Sequence, residues 1–89
     1  MSSSHNETTM VLIARKDLKL SAGKLAVQCA HAATSCALAA NKSEKRLLER
    51  WKNSGARKIC LQVEDLPSLQ RLAGQAQSAN LITHIVKDA

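Results

Sequence analysis

Residues 21–40 read SAGKLAVQCAHAATSCALAA, and the fold turns on how that run is read. It contains no proline and is rich in alanine and leucine, which predicts a long helix with Ser21 as its N-cap. At roughly 100° per residue, Gln28, His31 and Ser35 fall within about 40° of Lys24. Ala26, Ala30, Ala33, Ala37 and Ala40 make the opposite wall. This is a small, apolar helix with one polar stripe. The alanine wall can approach another backbone closely. The stripe needs partners or a cleft, because a polar group buried without a hydrogen bond is costly.

Upstream of this helix, MVLIA at 10–14 is a short β-branched apolar run, which predicts a strand buried on both faces. Residues 1–8 read as a disordered tail, and 9–89 as a single domain. Downstream, Asn41, Lys42 and Ser43 interrupt the long helix. Ser43 then caps a second helix, Glu44 to Asn53, with Gly55 as its C-terminal stop. KICLQV at 58–63 predicts a second strand. Asp65 caps a third helix over about 66–78 that buries Leu66, Leu69, Leu72, Ala73 and Ala76, with Asn80 as its left-handed exit. LITHIV at 81–86 predicts a third strand. The order is β-α-α-β-α-β, an α/β arrangement with helical crossovers.

An 89-residue chain holds one small core. A hydrophobic share of 45% fits a globular domain. No apolar run approaches the roughly 18 residues of a membrane span, and the polar start lacks the apolar centre of a secretory signal. The expectation is a cytoplasmic protein away from membranes. Eleven of the thirteen Lys and Arg residues fall within 15–58, against three acids. That bias suits either solvated helix faces or an anionic partner such as nucleic acid. Trp51 is the sole aromatic residue, which argues against reading single-stranded RNA by base stacking. Cys29 and Cys36 stand roughly 10 Å apart along a helix, beyond disulfide reach. The three cysteines therefore read as reduced core thiols.

Gly23-Lys24 does not complete a phosphate-binding P-loop, since Leu18 stands where the first glycine is needed and Leu25 where a hydroxyl is needed. A helix N-terminus bearing a lysine still favours an anion, a phosphate or a developing oxyanion. His31 has neither a carboxylate nor a second histidine at ligand spacing, so no metal site and no cofactor is expected. Asp88 directly follows the third strand, and ligands of open α/β sheets bind beyond the carboxyl ends of strands. A solvated terminal acid explains its position equally well.

Arg15, Asp17, Leu18, Gly23, Lys24, Ala26, Gln28, His31 and Ala32 match the pattern Arg-x-Asp-Leu, a short loop, then Gly-Lys-x-Ala-x-Gln-x-x-His-Ala. This opening resembles the type 2 peptidyl-tRNA hydrolases, the archaeal and eukaryotic kind. The resemblance continues through Trp51, Gly55 and Lys58 and into IVKDA at 85–89. It implies a four-stranded mixed sheet with helices on both faces, a homodimer, and hydrolysis of the ester joining a peptide to tRNA, which recycles tRNA in translation. Carried over by motif, the catalytic residues are Lys24, Asp88, Gln28 and His31. Asp88 would position or deprotonate water, Lys24 would stabilise developing charge or grip the terminal ribose-phosphate region, and Gln28 and His31 would orient them. Arg15, Lys16, Lys19, Lys45, Arg46, Arg50 and Lys58 are the expected tRNA-binding set. The family pattern continues past the aspartate with a glycine, a basic residue and a threonine, then a fourth strand and a last helix. The 89 residues therefore read as a domain with three of four strands. The alternative is a non-catalytic form that binds RNA or protein.

Overall fold

A computed structural model describes residues 8–87. Strand β1 (Met10–Arg15) leads through a 3-10 turn at Lys16–Leu18 into helix α1 (Ala22–Ser43). Helix α2 (Lys45–Asn53), strand β2 (Lys58–Val63) and helix α3 (Leu66–Ser78) follow. The strands pair in parallel, Met10 opposite Lys58 through Arg15 opposite Val63. Parallel neighbours need a long crossover, and α1 with α2 supplies it. Both α1 and α3 pack against β1. The α/β class expected from the sequence is the class observed.

The caps explain most boundaries. Ser21 Oγ accepts the Lys24 N–H at 3.3 Å and starts α1. Asp65 Oδ1 accepts the Ser68 N–H at 3.0 Å and starts α3, with proline in the first turn. Gly55 adopts φ +104° after α2, a region that suits only glycine. Asn80 at φ +62° ends α3, and the Leu81 N–H returns to the Ala76 carbonyl at 3.0 Å.

Three expectations need correction. First, α1 does not stop at Asn41. It runs through Ser43, whose hydroxyl donates to the Ala39 carbonyl at 3.2 Å and so is spent inside α1 instead of capping α2. Glu44 is the break, with φ −142° and no side-chain cap bond.

Second, 81–87 form no regular strand, and among the described residues the sheet is two-stranded and parallel, not mixed. An extended apolar run becomes a strand only by hydrogen bonding to a neighbour. Among the described residues, 82–87 make no backbone hydrogen bond to β1 or β2. Thr83 Oγ1 instead donates locally to the Leu81 carbonyl.

Third, β1 is not covered on both faces, and β2 is open as well. Val11 is 48% and Leu61 51% exposed, and among the described residues only Met10 and Ala40 are buried. Leu66 and Leu72 of α3, expected inside, are also exposed.

One carbonyl ties the layers together at the amino end of the sheet. Arg57 O accepts the Met10 N–H at 2.9 Å and the Trp51 indole N–H at 2.8 Å. It joins α2 to the start of both strands. The Lys58 ammonium lies 5.1 Å from the Trp51 ring centroid, within cation–π range.

Candidate active site

The carboxyl ends of β1 and β2 open toward the start of α1. The Asp17 N–H donates to the Glu64 carbonyl at 3.2 Å and stitches the two strand-end loops together. Arg15 lies against Asp17 in a two-point pair, Nε to Oδ1 at 3.1 Å and a terminal nitrogen to Oδ2 at 2.8 Å. The hydrogen bond with Asp17 raises the Arg15 pKa, and its counterpart from Arg15 lowers that of Asp17. Hydrogen bonding from Ser68 likewise holds the Asp65 carboxyl below its usual range. Lys24 stands in the first turn of α1 at this end, exposed, where the free N–H groups of the helix favour negative charge.

The polar stripe is present, but its setting differs from the expected one. Leu25, Cys29, Ala32, Ala33, Cys36, Ala37 and Ala39 of α1 are half-buried and Ala40 is buried, while Ala26 and Ala30 are exposed. The packed face therefore extends from the border of the stripe round to part of the alanine wall, and is wider than that wall alone. Leu25 and the two cysteines offer more apolar volume than an alanine wall, and burial follows volume. The stripe thus runs along the border of the packed face. Gln28 and Ser35 are half-buried on its inner side, and Lys24 and His31 are exposed on its outer side. His31 and Ser35 line a shallow depression with Val27, Ala30 and Thr34. Asp88, the fourth expected catalytic residue, lies outside the described residues.

The expected tRNA-binding residues do not form one cluster. Arg15, Lys16 and Lys19 sit at the carboxyl end of the sheet, whereas Lys58 begins β2 at the other end, roughly 17 Å away along the strand. Lys45, Arg46 and Arg50 are exposed on α2, which starts roughly 30 Å from Lys24 along the α1 axis. Several of these cations are already engaged. Arg15 pairs with Asp17, Lys16 reaches Glu64 at 4.0 Å, and Lys58 donates to the Ala56 carbonyl at 2.7 Å while covering Trp51. Lys19, Lys45, Arg46 and Arg50 have no acidic partner among the described residues. Lys42, in the last turn of α1 beside them, is a further exposed cation that sequence spacing did not single out. Its signal was available, since it precedes the α2 cluster with only Ser43 and Glu44 between. Among the described residues no three His, Cys, Asp or Glu side chains gather as a metal site would require, and no helix is long and apolar enough to cross a membrane.

The family model described as peptidyl-tRNA hydrolase PTH2 matches residues 8–89. The chain is 41% identical over 83 residues to the "Probable peptidyl-tRNA hydrolase 2" of Schizosaccharomyces pombe, a match covering 93% of this chain and 40% of that protein. It is 39% identical over 80 residues to the protein of the same name from Drosophila melanogaster, covering 90% of this chain and 43% of that protein. With the "Peptidyl-tRNA hydrolase" of Thermoplasma acidophilum it shares 38% over 79 residues, covering 89% of this chain and 68% of the other. The chain thus spans less than half the length of these eukaryotic relatives and about two thirds of the archaeal one.

Proposed function

Because this chain belongs to the peptidyl-tRNA hydrolase PTH2 family, we propose that it hydrolyses the ester linking a peptide to the terminal ribose of tRNA, releasing free tRNA for translation. The observation that carries the proposal is the family match over a stretch that includes the Lys24 stripe. It is supported by the position of Lys24, at a helix N-terminus beyond the carboxyl ends of two parallel strands. That is where open α/β sheets hold ligands.

Ester hydrolysis needs water aimed at the carbonyl carbon, a group to take its proton, and stabilisation of the oxyanion. Lys24 stabilises the oxyanion or grips the terminal ribose-phosphate region. Its ammonium adds to the positive end of α1, and both favour charge that develops during attack. Asp88 is the group that orients the water and accepts its proton. Gln28, half-buried at the border of the packed face, positions the reacting groups. His31 lies about two turns beyond Lys24 on the same stripe, where it orients the reacting groups from the other side of Gln28.

Phosphates are held by Lys19 at the sheet end and by Lys45, Arg46 and Arg50 on α2, with Lys42 beside them. Arg15, Lys16 and Lys58 contribute less, because each already has a partner. A substrate reaching both groups would span roughly 30 Å along α1, which suits an extended anionic ligand such as tRNA. The protein acts in the cytoplasm as a homodimer.

The test is release of peptide from a labelled peptidyl-tRNA by the full-length protein. Lys24→Ala is expected to lower release by about a hundredfold or more, the scale of losing an oxyanion donor. Tight tRNA binding with no release by the unmodified protein would replace hydrolysis with a pure RNA-binding role.

A further inference from the structure

We propose that Cys29 and Cys60 form an oxidisable dithiol, a redox-modification site that links helix α1 to strand β2 through a reversible disulfide. The two sulfurs lie 3.9 Å apart although 31 residues separate them in sequence. That is van der Waals contact between sulfurs, about 2 Å from the bonded separation of roughly 2.05 Å. Cys29 is on the inward face of α1, and Cys60 pairs with Leu12 in the sheet register. The contact therefore bridges two separate elements, each fixed by its own packing. Cys60 is exposed and open to an oxidant, while Cys29 is half-buried beside it as a resolving thiol. Cys36 stands seven residues from Cys29 on the same helix, roughly 10 Å along the axis, which removes it as a competing partner.

The chemistry balances with a peroxide as oxidant. The Cys60 thiolate attacks one peroxide oxygen, giving a sulfenic acid and, after protonation, one water. The Cys29 sulfur then attacks the sulfenyl sulfur, forming the S–S bond and releasing the second water. The two thiols lose two electrons and two protons, and the peroxide is reduced to two waters. Burial, followed by the hydrogen bond and charge of Cys60, raises the Cys29 pKa, which suits the slower, resolving role. A low-molecular-weight thiol reverses the bond by exchange.

The bridge closes a loop holding the second half of α1, all of α2 and the entry to β2. Closing a loop of this length restricts the unfolded chain substantially. The proposal does not depend on hydrolysis by the protein.

The test treats reduced full-length protein with hydrogen peroxide, blocks remaining thiols and digests with trypsin. The peptide covering 25–42 should be joined to that covering 59–71, with fragmentation placing the bond at Cys29 and reductant separating the two. Cys36→Ser should leave the link intact, and Cys29→Ser or Cys60→Ser should abolish it. Oxidised protein should melt on the order of 10 °C above reduced protein. The proposal is overturned if, in the unmodified protein, both thiols remain open to alkylation after peroxide. It is equally overturned if the two sulfurs oxidise separately, if Cys36 supplies the link, or if the peptides join only between molecules.

Discussion

Replacing Trp51 with phenylalanine removes one hydrogen-bond donor while keeping an aromatic face. The indole N–H donates to the Arg57 carbonyl at 2.8 Å, and that carbonyl also accepts the Met10 N–H at 2.9 Å. Loss of the indole donor therefore leaves the acceptor still bonded, and the cost is that of one ordinary hydrogen bond, about 1 kcal/mol. For a domain of this size that corresponds to a fall in Tm of roughly 4–8 °C. Trp51→Leu removes the ring as well, and with it the Lys58 contact at 5.1 Å. A cation–π contact at an exposed site adds about 0.5–1 kcal/mol, so the leucine variant should melt a further ~2–8 °C lower. Thermal melts followed by far-UV circular dichroism measure both steps. A phenylalanine variant melting within about 1 °C of the parent would refute the reasoning, because the Arg57 carbonyl would then not be joining α2 to the sheet.

Four further outcomes follow from the same geometry. Gly55→Ala places a side chain at φ +104° with open space around it. The cost is backbone strain without a clash, and a destabilisation above about 1 kcal/mol is expected in urea unfolding. Asp17 and Asp65 both have carboxyl pKa values lowered by folding. Their stabilisation is therefore complete above the ordinary carboxylate pKa and is lost as pH falls through the folded values. Tm measured from neutral pH downward should drop below about pH 4, and Asp17→Asn should flatten that drop. Paired charge reversal at Arg46 and Arg50 should raise KM for peptidyl-tRNA and shallow its salt dependence with little change in kcat. The same reversal at Lys16, which already faces Glu64, should change KM less.

Local chemistry made several elements readable in advance. Asp65 and Pro67 set the start of α3, and Asn80 set its exit, because a cap is a short-range hydrogen bond written within four residues. Ser21 fixed the start of α1 for the same reason. Ser43 misled because a serine hydroxyl can serve either the helix behind it or the one ahead, and here it bonds back to Ala39. The 81–86 run misled differently. Its composition suits a strand, but pairing is a property of neighbours, and no residue pattern states who the neighbour is. Periodicity found the Lys24, Gln28, His31 and Ser35 stripe and part of the packed face, at Ala33, Ala37 and Ala40, but not its full width. The small contrast between alanine and cysteine left that width undetermined until Leu25, Cys29 and Cys36 were seen half-buried. The Cys29–Cys60 contact was hidden for the same reason, since it depends on which face of α1 meets the sheet.

The most direct test of a catalytic Lys24 stripe is single-turnover release of peptide from peptidyl-tRNA by full-length protein with and without Lys24→Ala. Melting curves for both forms show that the fold is kept. Lys24 is exposed and only its backbone N–H is used by the cap, so its truncation should leave Tm nearly unchanged. Release should slow by about a hundredfold or more. Equal release rates from the two proteins would contradict the account and take Lys24 out of the chemistry.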